Sequence, residues 1–158
     1  MTAQAPYEID VRRLESFSAV ELYALLKLRV AVFIVEQACA YPELDGKDET
    51  ALHLRLVVDD QTAAYARILP PDGGAPRIGR VLVAPGYRGK GFGEAVMREA
   101  IRACETHFPG SAIELSAQSY LENFYKALGF SPVSAEYVED GIPHIDMARP
   151  AGARLSPA

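Results

Sequence analysis

The sequence predicts an α+β domain built on a single mixed, mostly antiparallel sheet with helices on both faces. Three observations carry that expectation. The elements run β-α-β-β-β-α-β-α-β-β, so helices are interspersed among strands that mostly follow one another through short turns. Two of those turns, Asp59-Asp60-Gln61 and Glu139-Asp140-Gly141, read as hairpin connections, and Asp-Gly is a strong signal of one. No internal repeat and no linker divides the 158 residues, so one domain is expected over residues 1–150. The glycine, proline and alanine of residues 151–158 read as a frayed tail.

The elements follow in order. Tyr7, Ile9 and Val11 alternate, which predicts a strand over Tyr7–Leu14. Ser18 and Glu21 form a capping box and open a helix over Ala19–Val32, with Leu22, Leu25, Leu26, Arg29 and Phe33 at helical spacing. Pro42, Asp45, Gly46 and Asp48 mark the stretch Gln37–Thr50 as loop. Two strands, Leu52–Val58 and Ala63–Leu69, form a hairpin, and the Pro70–Gly74 loop leads to a further strand, Arg77–Val83. A helix over Glu94–Phe108 repeats Val96, Ala100, Cys104 and Phe108 every four residues. A strand over Ala112–Ser116 and a helix over Ser119–Leu128 follow, the helix closed by Gly129. Pro132–Val138 and Ile142–Met147 complete the predicted hairpin.

Composition bounds the function. Hydrophobic residues make up 49% and charged residues 23%, an ordinary globular balance. A net charge of −5 argues against general nucleic-acid binding, which needs a basic face. No apolar run approaches the ~20 residues of a membrane span. Met1–Asp10 lacks a basic segment followed by an apolar one, so no signal peptide is expected and the cytoplasm is the expected compartment. Cys39 and Cys104 have no metal-type spacing and make no disulfide scaffold. Cys104, on an apolar helix face, reads as core; Cys39, in a loop, leaves a reactive thiol open.

The informative stretch runs from Val81 to Gly93: strand, glycine-rich turn, helix. Such a turn aims several peptide N–H groups at one point, where the helix dipole adds partial positive charge. Arg88 and Lys90 add full charges, and Gly89, Gly91 and Gly93 let an anion approach without a Cβ in the way. A phosphate or diphosphate is the ligand implied. The spacing is not that of a nucleoside-triphosphatase loop, and alternating glycines in this strand order do not make a dinucleotide fold.

Arg88-x-x-Gly91-x-Gly93 after a Val-x-Val strand with Pro85 resembles the coenzyme A pyrophosphate loop of the GNAT superfamily of N-acetyltransferases. A second stretch, Asn123-Phe124-Tyr125-Lys126-Ala127-Leu128-Gly129-Phe130, is similar to that superfamily's later motif and stands in the right order. Leu28–Gln37, Asp45–Asp48, His53-Leu54, Arg67, Ile78–Val81, Leu115–Gln118 and Glu139–Ile145 resemble its ElaA-type branch.

The resemblance implies a sheet splayed between the fourth and fifth strands, with the pantetheine arm of acetyl-CoA in the gap. It implies cofactor-binding roles for Val81, Leu82, Val83, Arg88, Gly89, Lys90, Gly91, Phe92, Gly93, Asn123, Phe124 and Tyr125. Acetyl-CoA is the expected cosubstrate and an amine the partner; no metal, nucleic acid or membrane is expected. A homodimer stays open. A strand N–H, that of Val83, would bond the thioester oxygen, and Tyr125 is the implied general acid.

The general base is less determined. Many relatives carry a glutamate near the start of the fourth strand, where this chain has Arg77, and no acidic residue lies between Ile78 and Arg88. Glu36, His53 and His144 are the candidates; each has a bland reading, as a paired carboxylate or a hydrogen-bonded core histidine. Arg80, placed by alternation on the face of Ile78 and Leu82, reads as an ion-pair partner or as a holder of a substrate carboxylate. Two rival functions remain. Arg29-x-x-Val32-Phe33 with Glu36 resembles acyl-homoserine-lactone synthases, which use longer acyl chains. A sensor or interaction module that binds acyl-CoA without catalysis would also explain the missing glutamate. The acceptor stays open among polyamines, amino acids, aminoglycosides, peptide N-termini and protein lysines.

Overall fold

A computed structural model describes residues 4–157; residues 1–3 of the expected domain and residue 158 of the expected tail lie outside the described residues. The strands are β1 (Glu8–Arg13), β2 (Leu52–Val58), β3 (Gln61–Leu69), β4 (Arg77–Val83), β5 (Ile113–Gln118), β6 (Ser131–Pro132), β7 (Tyr137–Glu139) and β8 (Ile142–Arg149). They form one eight-stranded sheet in the order β1-β2-β3-β4-β5-β8-β6, with β7 also paired to β8. Every pairing is antiparallel except β4 with β5. The expected α+β class and mixed sheet are what the structure shows.

Three helices cover the sheet. On one face α1 (Ala19–Val30) packs Leu25, with Val32 and Phe33 just beyond it, onto Tyr65 and Leu82. On the other, α2 (Phe92–His107) seats Val96, Ala100, Ile101 and Cys104 in the larger core over Leu54, Ala66 and Ile68. Its companion α3 (Glu122–Lys126) adds Tyr125 to that core. Burial pushes the Cys104 thiol up to about 12, as expected of a core cysteine.

Local signals explain most of the boundaries. The Ser18–Glu21 capping box is formed in both directions, at 2.9 and 3.1 Å. The first helix does not simply stop at Val32: α1 passes at Ala31 into a π-helical turn, Ala31–Glu36, which brings Glu36 onto the glycine-rich turn. The first hairpin is tighter than expected. Its loop is Asp59-Asp60, both left-handed, and Gln61 already pairs with Val58. The helix expected over residues 119–128 begins as a 3₁₀ turn, Ser119–Leu121. It closes in a Schellman motif: Gly129 N donates to Lys126 O at 3.0 Å and Phe130 N to Tyr125 O at 3.2 Å. The strand expected over residues 132–138 is split into β6 and β7. In the described part of the tail, Ser156 O accepts from Arg98 at 2.6 Å and Leu155 packs against the core.

Beneath α1 lies a lattice of three arginines and three carboxylates. Arg29, with no exposed surface, is held by Glu43 (2.8 Å) and Asp48 (2.8 Å). Arg67 meets Asp45 (2.8 Å) and Asp48 (3.1 Å), and Arg80 meets Glu43 (2.8 Å) and Asp45 (3.4 Å). A buried cation is tolerable only when paired on all sides, so the lattice pins the Gln37–Thr50 loop to α1, β3 and β4. Burial opposes charge on Asp45 and Asp48, but bonds from Arg67 and Arg29 outweigh it and hold both carboxyls below 3.8. Arg29→Met should therefore cost about 3–5 kcal/mol at pH 7, read by urea unfolding. That advantage of the native chain is complete above 3.8 and fades as the pH falls through the depressed carboxyl values. An unchanged midpoint for Arg29→Met would show that the lattice contributes nothing.

Candidate functional site

The sheet opens where β4 and β5, the parallel neighbours among the described residues, meet. β4 and β5 share a single register pair, Arg77 with Glu114, closed by Glu114 N donating to Pro76 O at 3.0 Å. Beyond it the strands diverge into a cleft of about 630 Å³ whose walls include Ile78, Val81, Leu115, Tyr125 and His144.

Which peptide groups of β4 face this cleft is decided by one extra residue. Tyr65 pairs with Leu82 and Arg67 with Gly79, so Ala66 alone opposes Arg80 and Val81: a β-bulge. Pro76 O points at β5, so by strict alternation Ile78, Arg80 and Leu82 would offer their peptide groups to the cleft. Past the bulge the phase is reversed. Ala84 N donates to Ala63 O at 2.8 Å, which places the peptide groups of Leu82 toward β3 and those of Val81 and Val83 toward the cleft. Side chains reverse with the backbone. Ile78 is in the core under α2, while Leu82 is in the cluster under α1. The shared face expected for Ile78, Arg80 and Leu82 is thus corrected: the bulge separates them.

The glycine-rich turn forms one end of this region. Gly86, Gly89 and Gly91 are all left-handed, and Gly91 is the N-cap of α2, which starts two residues earlier than expected. The turn's backbone bonds are Tyr87 N to Ala84 O and Ala95 N to Gly91 O. Among the described residues, the peptide nitrogens of Arg88 through Gly91 donate to no backbone carbonyl. A Cβ on Gly89 would meet nothing within 4 Å, so its glycine answers to backbone conformation rather than crowding. Four such donors at the start of a 16-residue helix fit an anionic diphosphate. The two cations of the turn are folded over it: Lys90 Nζ donates to Gly86 O at 3.1 Å, and Arg88 Nε to Val83 O at 3.0 Å.

The catalytic candidates separate. Tyr125 lines the cleft, its ring fixed edge-on by Phe124 at 5.1 Å and Phe130 at 6.1 Å, and burial pushes its hydroxyl up to about 12. His144 also lines it. Ile142 O lies 2.7 Å from Nδ1, a contact that requires the proton on Nδ1 and leaves Nε2 as the acceptor. Glu36 is not on the cleft wall; it pairs with Arg88 at 2.5 and 2.9 Å, and those bonds hold its carboxyl below the usual range. His53 does not reach the cleft. It is fully buried, with Nε2–H donated to Asp48 O (2.9 Å) and Nδ1 accepting from the Tyr65 hydroxyl (2.7 Å). As a candidate base it is corrected to a structural histidine, because no acceptor can approach either nitrogen. Asn123 is exposed on α3, and Phe124 packs against the core. Sequence reasoning missed Tyr41 on the cleft wall, which carries no local signal, and gave no site role to Gln118, although the Leu115–Gln118 stretch carried the branch resemblance.

An open sheet parted at its parallel seam, with peptide donors at a helix start, is the architecture of the GNAT acyltransferase fold. Residues 15–150 match the acetyltransferase (GNAT) domain, and the chain belongs to the GNAT family. It falls in the ElaA-type branch: it is 46% identical to Protein ElaA of Escherichia coli over 136 residues, 84% of this chain and 89% of that one. The crystal structure of Escherichia coli ElaA superposes with a TM-score of 0.86 at 42% identity, covering 91% of this chain and 99% of that one. An acyl-CoA N-acyltransferase from Pseudomonas aeruginosa superposes with a TM-score of 0.87 at 40% identity and the same coverage, 91% and 99%. The CoA-dependent acyl-homoserine lactone synthase BjaI shares the fold (TM-score 0.77, 12% identity, covering 90% and 82%).

Burial, aided by the cations of Arg29 and Arg67, holds His53 below 6.5 against the bond to Asp48. The unfolded chain then binds a proton the folded chain refuses. Stability should be full above pH 6.5 and fall as the pH drops below it toward the depressed folded value. His53→Gln should flatten that slope in urea titrations; an unaltered slope would place the proton elsewhere.

Proposed function

We propose that the protein is an N-acetyltransferase that moves the acetyl group of acetyl-CoA to a primary amine by direct attack, with both substrates held together in the cleft. The observation that carries this is the outward phase of β4 past Arg80, between the donor-rich turn and Tyr125. Bound acetyl-CoA supplies an activated thioester. The peptide nitrogens from Arg88 to Gly93 and the start of α2 hold its diphosphate, and the edge of β4 at Val81, with the N–H of Val83, pairs with its amide arm as a strand would; Val83 O already accepts from Arg88.

The N–H of Val83 polarises the thioester oxygen as negative charge develops; a preorganised donor of that kind is worth about 3–4 kcal/mol of barrier. His144 Nε2 takes the amine's proton as the C–N bond forms and the C–S bond breaks. Tyr125, whose raised value keeps it protonated, gives its proton to the departing sulfur. Proximity supplies much of the rate, since no covalent enzyme intermediate is formed. Arg88 serves the diphosphate while Glu36 sets its position, and Phe124 braces the Tyr125 ring at 5.1 Å.

A thiol-release assay with acetyl-CoA against an amine library tests the reaction. Uptake of acetyl-CoA without release would instead favour a sensor, and preference for longer acyl-CoA would favour the lactone-synthase chemistry. Tyr125→Phe should lower kcat by about a hundredfold or more while leaving the calorimetric affinity for acetyl-CoA unchanged. His144→Gln should lower kcat by about a hundredfold with little change in the calorimetric affinity for acetyl-CoA. Undiminished turnover would exclude His144 as the base.

A further inference from the structure

Arg80 is in an unusual conformation for its place. Its φ is +51, and the other non-glycine residues with positive φ among those described are Ala38, Asp59, Asp60 and Asp140, all outside strands. Arg80 alone of these lies inside a strand, as the first residue of the β4 bulge. In bulges with a left-handed first residue that position is usually glycine, because a Cβ there is strained. Here glycine is one position too early, at Gly79.

The Arg80 side chain offsets what its backbone lacks. Nε lies 2.8 Å from Glu43 Oε1, off the N–H direction, so that contact is ionic rather than a hydrogen bond. Nη2 reaches Asp45 Oδ2 at 3.4 Å and Glu43 O at 3.5 Å, and the guanidinium stands 5.3 Å from the Tyr41 ring centroid. Glu43 and Asp45 are themselves fixed by Arg29 and Arg67. A strained residue persists where its surroundings over-determine it.

We propose that Arg80 is a positioning residue: tied to Glu43 and Asp45, it holds the left-handed backbone that turns the peptide groups of Val81 and Val83 into the cleft. The loop over residues 37–50 thereby sets the strand proposed above to pair with the amide arm of the cosubstrate. The catalytic consequence rests on the acyl transfer proposed above; the backbone role does not.

Arg80→Gly and Arg80→Val separate backbone from charge. Both remove the guanidinium, but glycine accepts φ +51 and a β-branched residue resists it. Arg80→Val should lower kcat by about ten- to a hundredfold and weaken acetyl-CoA uptake in calorimetry. Arg80→Gly should recover about tenfold of a hundredfold loss. Equal losses in the two variants would overturn the proposal, since charge rather than backbone would then matter; so would an Arg80→Val variant indistinguishable from the native chain. If Arg80→Val fails to fold, Arg80→Ala against Arg80→Gly makes the same comparison. If the native chain transfers no acyl group to any amine, the functional reading fails. The Arg80 proposal is then decided by the amide resonances of Val81 and Val83, which should stay near native in Arg80→Gly and move in Arg80→Val or Arg80→Ala. Unmoved resonances in all variants would overturn it.

Discussion

Peptide groups in the middle of a sheet need partners, and β4 past Arg77 has a partner on one side only. That constraint organises the rest of the molecule. An interior strand with unpaired N–H and C=O groups is a poor solution for a sheet in isolation. It becomes a binding surface when the missing neighbour is an extended, amide-bearing ligand. The chain holds the gap open with packed walls. Tyr125 and Leu128 are in the core beside β5, and Leu82 is gripped under α1.

The charge lattice under α1 is the second support. Three buried or half-buried arginines compensate three carboxylates, and none of the six could be left alone at that depth without a large desolvation cost. Apolar residues of similar volume could fill the same space. Charge adds directionality: each guanidinium fixes where a loop carboxylate sits. The loop over residues 37–50 has no regular secondary structure, yet Glu43 and Asp48 are buried. Its order comes from Arg29, Arg67 and Arg80 on three separate elements.

Much of the fold was legible in short-range signals. The Ser18 capping box, the left-handed glycine after α3, the Asp140-Gly141 turn and the four-residue repeat of α2 each depend on neighbours a few positions apart. β4 was read to its observed ends because Pro76 and Pro85 bracket a segment that carries Ile78, Val81 and Val83. The π-helical turn at residues 31–36 was not legible, since its apolar spacing resembles an ordinary helical end. The two-residue strand β6 was hidden because so short a segment has no period. The bulge was hidden as well, because alternation assumes a regular strand, and a single inserted residue inverts every assignment after it.

The amino-acid sequence alone determined the class of domain and the donor-rich turn, because local backbone preference and residue spacing encode them, and the motif around Tyr125 was read from its resemblance to the GNAT superfamily. Tertiary structure decided which titratable groups face the cleft. His53 and His144 both lie on strands, yet the first is sealed between Tyr65 and Asp48 and the second stands on the cleft wall. Glu36 and Arg88 are 52 positions apart and meet through the π-helical turn. Such outcomes depend on distant segments arriving together, and no pattern within either segment carries that information.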